Sequence, residues 1–252
     1  MSAHSRVSTA VPERQSPVQI RLADVLTRMA NAATMPNRPA PTLLAVSKTQ
    51  HVDAITVLAA AGQRAFGENY VQEALPKIEA LKALDLEWHL IGNLQSNKAQ
   101  DAARAFDWIQ TIDRAKLVAL LARHRPPDLP PLNVLVQVNI DDEASKHGCA
   151  PADAMRLADL IATEPRLRLR GLMAIPAPHE DPQQRVQAFR AMHDLFDAMA
   201  KQHPGIDTLS MGMSGDFVGA IEQGATMVRV GSALFGPRVT PPQDASKQEP
   251  HS

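Results

Sequence analysis

The chain has 252 residues, of which 44% are hydrophobic and 21% charged, and a formal net charge of −1. That length and core content suit one large α/β domain. Near-neutral charge without a long basic run argues against a nucleic-acid partner. The single cysteine, Cys149, excludes an internal disulfide and fits a reducing compartment, so a cytoplasmic location is expected. No apolar stretch approaches the roughly 20 residues that a membrane helix needs, so no membrane partner is expected either.

Residues 1–17 mix Ser, Pro and Arg without an apolar centre and read as a flexible tail rather than a secretory signal. A helical pattern covers residues 18–33. Short apolar runs then alternate with amphipathic stretches: TLLAVS from Thr42, RAFG from Arg64, EWHLIG from Glu87 and WIQTI from Trp108. They continue with NVLVQVN from Asn133, LRGLMAI from Leu169, TLSMG from Thr208 and MVRVG from Met227. Helical spacing fills gaps such as residues 152–162 and 183–202, with Pro151 and Pro182 at their starts and Gly62 where an earlier helix stops. RHRPPDLPP, residues 123–131, is a stiff surface connection, because the alternation resumes after it. Residues 237–252, rich in Pro, Gln and Ser, read as a second flexible tail. Residues 18–236 thus form one domain of strand–helix units. Parallel pairing with crossovers follows, and the number of units suggests a closed (β/α)₈ TIM-type barrel; an open doubly wound sheet is the alternative.

In a closed barrel, Lys48 at the tip of the first strand neighbours the loops after the last two strands, on the face where barrel active sites are built. SMGMSGDF, residues 210–217, offers Gly212, Ser214 and Gly215 before a helical stretch; VGSALFG, residues 230–236, offers Gly231 and Ser232. Gly lets a backbone approach an anion and Ser adds a donor, so the two loops make a phosphate cradle. A lysine beside a phosphate site suits a Schiff base with a phosphorylated aldehyde, and pyridoxal 5'-phosphate (PLP) is such a cofactor. Strand alternation sends Arg229 to the same face as Gly231. There it either meets the pyridine nitrogen, weakening the ring as an electron sink, or forms a salt bridge inside the barrel.

Six ordered stretches now carry a resemblance: LLAVSKTQ (43–50), FGENYVQEA (66–74), WHLIGNLQSNK (88–98), RGLMAIPAP (170–178), LSMGMSGDF (209–217) and MVRVGSALFG (227–236). They resemble the pyridoxal phosphate homeostasis proteins, single-domain relatives of the PLP-binding barrel of alanine racemase. The resemblance implies a fold-type III PLP barrel with Lys48 as the Schiff-base lysine. It also implies Ser214, Gly231 and Ser232 at the phosphate, Arg229 by the pyridine nitrogen and Asn69 near the ring edge. It departs at Val218, where an acidic residue is expected, which puts the helix after strand 7 in doubt. The implied role is non-enzymatic: PLP held for buffering, or delivered to apo PLP-dependent enzymes. A weak amino-acid racemase is the alternative, but a racemase of this fold needs a second base from a further domain. The 16 residues after Gly236 are too few for one.

The remaining residues read as structural. Tyr70, the only tyrosine, reads as a helix-start aromatic packed on the barrel, and Glu68 as a helix-start carboxylate. IGNLQSNK either binds a substrate at the mouth or caps the next helix. None of the nine histidines has metal-ligand spacing: His193 and His203 read as lying on a polar helix face, and His89 as a hydrogen-bonded core residue. Cys149 carries no mark of a nucleophile. Lys146, in the loop after strand 5, is either a solvated charge or a second amine that captures the departing aldehyde. Polar outer helices suit a monomer.

Overall fold

The structure is a computed structural model and describes residues 16–33, 39–141, 147–177 and 181–236. It opens with α1 (Pro17–Ala32), started by a reciprocal capping box between Ser16 and Gln19 with Pro17 in the first turn. Leu22, Val25 and Met29 recur at helical spacing on its buried face. The helix therefore takes in Pro17, which the sequence pattern assigned to the tail. The rest of that tail before Ser16, and residues 237–252, lie outside the described residues.

Strand and helix then alternate: β1 (Thr42–Val46), α2 (Val52–Ala60), β2 (Ala65–Glu68), α3 (Val71–Ala80), β3 (Glu87–Leu90), α4 (Ala99–Ala105), β4 (Trp108–Ile112) and α5 (Ala115–His124). The second half runs β5 (Leu132–Val138), α6 (Pro151–Ala162), β6 (Leu167–Ala174), α7 (Pro182–Gln202), β7 (Thr208–Met213), α8 (Phe217–Glu222), β8 (Met227–Val230) and α9 (Ser232–Phe235). Each expected strand is present. The largest discrepancy is β6, which begins at Leu167, before the apolar run starting at Leu169, because its backbone pairs with β5 from Leu132↔Leu167 onward whatever the side chains. Pro151 and Pro182 stand in the first turns of α6 and α7. Gly62 follows α2 with a φ of 97°, a conformation that side chains rarely adopt.

The sheet closes. Strands pair in parallel in chain order, and β8 returns to β1 with Thr42↔Met227 through Ala45↔Val230 in register. This pairing rules out the open sheet. The main core lies between the barrel and its helices. Inside the barrel, Leu44, Ala65, Ile91 and Met227 pack on the side of β1, β2, β3 and β8. Trp108, Leu135 and Met173 pack on the side of β4 to β6. A band of buried polar side chains lies in the same lumen: His89, Gln110, Ser210 and Arg229. Outside, the 123–131 connection is pinned by Arg125, which donates to the Pro130, Ala103 and Phe106 carbonyls.

Candidate functional site

Closure brings Lys48, two residues past β1, to the β7 and β8 loops. Val46, Lys48, Ser214, Gly231 and Ser232 line one cavity of about 250 Å³ at the C-terminal face of the barrel. The Ser214 hydroxyl accepts from the Gly231 amide at 3.2 Å and from the Ala233 amide at 3.4 Å. Two backbone donors of the β8 loop therefore converge on one oxygen position. A Cβ on Gly231 would stand 3.3 Å from the Val46 carbonyl oxygen and Cβ, so glycine keeps this loop tight against β1. The donor set is two amides, two serine hydroxyls and one amine with no acid among the lining residues, and it fits a phosphate-bearing aldehyde.

The backbone around Lys48 is held from below by a network that the sequence reading missed. Lys77 on α3 is buried, and its ammonium donates to the Ser47 carbonyl (3.0 Å), to both oxygens of Glu68 (3.0 and 3.1 Å) and to Glu73 (2.8 Å). Ser47 Oγ donates to Glu68 at 2.5 Å, and the Thr49 amide donates to Glu73. The residues on both sides of Lys48 are thus fastened, with Thr49 in the left-handed region at φ 63°. Burial pushes the Glu68 carboxyl above its ordinary range, even with Ser47 and Lys77 bonded to it. Burial alone would raise Glu73 too, but the hydrogen bonds from Lys77 and Thr49 and the nearby charges of Lys77 and Lys48 hold it below. Glu68 is therefore not a helix-start carboxylate: it ends β2, fully buried, and α3 begins at Val71.

Arg229 points into the lumen, where Nη1 donates to Ser210 Oγ and Nη2 to the Ala174 carbonyl, each at 2.7 Å. Burial pushes its pKa down to about 10, only partly opposed by the charge of Asp216, so it stays cationic at neutral pH. Among the described residues no carboxylate forms a salt bridge with Arg229, so the salt-bridge alternative fails. Asn69 lines a neighbouring cavity of about 480 Å³ with Asn93, Gln95 and Lys98, rather than the one holding Lys48. No side chain caps the start of α4 or the turn before it, which removes the capping role for IGNLQSNK. Tyr70 precedes α3 but is 65% exposed instead of packed on the barrel. Val218 sits half-buried in α8, which forms without the acidic residue; the carboxylate here is Asp216, which closes the preceding loop by accepting from the Met213 amide at 2.7 Å.

His89 is a buried core histidine, as expected. His203 terminates α7 and meets Asp159, while His193 faces Asp197. Burial pushes the Cys149 thiol up to about 11, far from a reactive thiolate. Lys146 lies outside the described residues. Among the described residues no group of His, Cys, Asp and Glu could hold a metal, and no helix is long and apolar enough to cross a membrane.

A closed parallel barrel with a lysine after its first strand and anion-type loops after its last two defines a barrel of the alanine racemase N-terminal class. The family model described as "Alanine racemase, N-terminal domain" matches residues 20–239. The pyridoxal phosphate homeostasis protein of Pasteurella multocida (strain Pm70) is 50% identical over 227 residues, 88% of this chain and 97% of that protein. That of Escherichia coli (strain K12) is 50% identical over 222 residues, 86% of this chain and 95% of that protein. The structure of PipY of Synechococcus elongatus PCC7942 with PLP bound is 35% identical, with a TM-score of 0.76, covering 87% of this chain and all of that one. The chain belongs to the pyridoxal phosphate homeostasis protein family.

Proposed function

We infer that this chain binds PLP at the Lys48 cavity and serves PLP homeostasis, holding the cofactor for buffering or delivery. The carrying observation is that Lys48, Ser214, Gly231 and Ser232 line one cavity. A solved relative with PLP bound supports it. When bound, the cofactor supplies an aldehyde that a lysine amine can hold covalently and reversibly. Lys48 supplies that amine, and the fastened Ser47 and Thr49 hold its backbone in place. The Ser214 and Ser232 hydroxyls take the phosphate oxygens, and the Gly231 and Ala233 amides join them by turning from Ser214 Oγ to the phosphate. Arg229, a cation already anchored to Ser210 and Ala174, faces the pyridine nitrogen and disfavours a proton there. Asn69, from the adjoining cavity, reaches the ring edge.

The reading is a carrier rather than an enzyme. Relatives matched along nearly their full length are named for homeostasis and not for a reaction. Glu68 and Glu73 beside Lys48 are occupied by Lys77 and are not poised as bases. The barrel of residues 18–236 is the binding unit and acts as a monomer, with apo PLP-dependent enzymes as recipients. The experiment is borohydride reduction of PLP-loaded protein followed by peptide mass spectrometry: the adduct is expected on the Lys48 peptide. An adduct confined to another lysine, or no retained cofactor, overturns the assignment.

A further inference from the structure

The buried polar groups of the lumen form an unbroken chain from Arg229 on β8 to Glu87 at the N-terminal face of the barrel. Arg229 Nη1 donates to Ser210 Oγ at 2.7 Å, and that hydroxyl lies 2.7 Å from Gln110 Oε1. Gln110 Nε2 lies 2.9 Å from His89 Nδ1, and His89 Nε2 lies 2.7 Å from Glu87 Oε1. Arg229, Ser210, Gln110 and His89 are buried. Glu87 begins β3 at the N-terminal end of the barrel, opposite the cavity, and its side chain is 45% exposed.

The direction of every bond follows from the Glu87 end. Its carboxyl is held below the usual range: burial opposes this, while the hydrogen bond from His89 and the charge of Arg170 act for it. An ionised carboxylate only accepts, so His89 Nε2 carries a proton and donates it. Burial keeps the imidazole neutral, so Nδ1 has no proton and must accept from the Gln110 amide. That orientation leaves Gln110 Oε1 to accept from Ser210, whose oxygen accepts from Arg229. All four bonds run the same way, from a cation to a carboxylate, and each polarises the next. His89 is also stacked on Trp108, with ring centroids 5.0 Å apart and planes at 12°, which leaves the imidazole little freedom to turn.

We propose that Glu87, on the face opposite the cavity, is a positioning residue for Arg229, acting through the one-way relay Ser210–Gln110–His89. Asp216 acts on Arg229 through space without a salt bridge, and the relay gives the buried guanidinium a hydrogen-bonded connection to a carboxylate at the far end of the chain. The consequence for cofactor recognition rests on the reading above that Arg229 faces the pyridine nitrogen, but the relay can be tested without cofactor.

In the full chain without ligand, ¹⁵N NMR is expected to show His89 neutral with its proton on Nε2. Glu87→Gln, a change at a partly exposed position, is expected to disturb that tautomer and to speed exchange of the Arg229 Nε–H by about threefold or more. A proton on Nδ1, an imidazolium, or an Arg229 exchange rate equal to the parent's overturns the relay. With ligand, the parent is expected to prefer PLP over the analogue with carbon in place of the ring nitrogen. Glu87→Gln and Gln110→Leu are each expected to shift that preference by about threefold or more while inorganic phosphate affinity holds. An unshifted preference in a parent that does discriminate overturns the positioning role. Failure of the parent to bind PLP overturns the functional reading instead, and the ligand-free spectra then decide the relay.

Discussion

Lys77 brings a positive charge to a position where only 10% of its side chain is exposed, facing the fully buried carboxylate of Glu68. Such a pair is worth little over an apolar replacement of both partners, but removing one partner strands the other charge. Lys77→Met is therefore expected to destabilise the fold by about 3–5 kcal/mol. The double variant Lys77→Met/Glu68→Gln should recover part of that loss, because the stranded charge is gone. Urea unfolding of the two proteins checks this; equal midpoints would show that the charge on Glu68 is not what the ammonium offsets. The position of Lys48 just past β1 was legible in the sequence because one charge ends a run of apolar residues. Lys77 was not: it lies 30 residues from the Ser47 carbonyl it holds, and its spacing within α3 reads as a solvated helix lysine. Glu68 was misread for the same reason. Only the pairing of β1 with β2 shows that its carboxylate turns inward toward Ser47.

Among the described α-helices, α9 is the shortest, and its Ser232 and Phe235 line the cavity. Four residues cannot sustain a helix by their own hydrogen bonds, and the support comes from α1. Arg21 Nε donates to the Leu234 carbonyl at 2.6 Å and Nη2 to that of Phe235 at 3.2 Å. These charge-assisted bonds satisfy carbonyls that a helix end leaves open. Arg21→Ala is expected to raise hydrogen exchange at the Leu234 and Phe235 amides and to weaken PLP binding by about three- to tenfold, the loss of one such bond. Unchanged exchange would mean that α9 is held by apolar packing alone. The strands were readable because β-branched and apolar runs bounded by turn residues have few other uses. The contact between α1 and α9 was not, since no local pattern links residues 213 positions apart. The polar IGNLQSNK segment left two uses open because Asn and Ser are common caps; here several of these side chains line a cavity instead.

Across the whole molecule, closure converts an ordinary alternation into a sealed lumen, and the lumen sets how the protein answers acid. His89 lies at its centre, and burial holds its pKa below the ordinary 6.5, against the raising influence of Glu87 and Asp107; the Arg170 charge lowers it further. The unfolded chain takes up a proton at this position as pH falls below about 6.5, while the folded protein does so only at lower pH. Stability is therefore expected to fall on acidification in that window, by at most about 1.4 kcal/mol per pH unit, and to level off once the folded imidazole protonates. Glu68 and Asp107 act the other way: with folded values raised by burial, each adds stability as pH falls through that value toward the ordinary carboxylate range. Glu73, Glu87 and Asp207, held low, lose their contribution only below that range. The histidine's share can be isolated by comparison with His89→Gln, which keeps hydrogen-bonding capacity but cannot titrate. Urea unfolding at about pH 7.5 and about pH 5.5 is expected to show a larger loss for the parent than for the variant. Equal losses in the two proteins would mean that His89 keeps its ordinary pKa in the fold, and that the lumen is wetter than its packing implies.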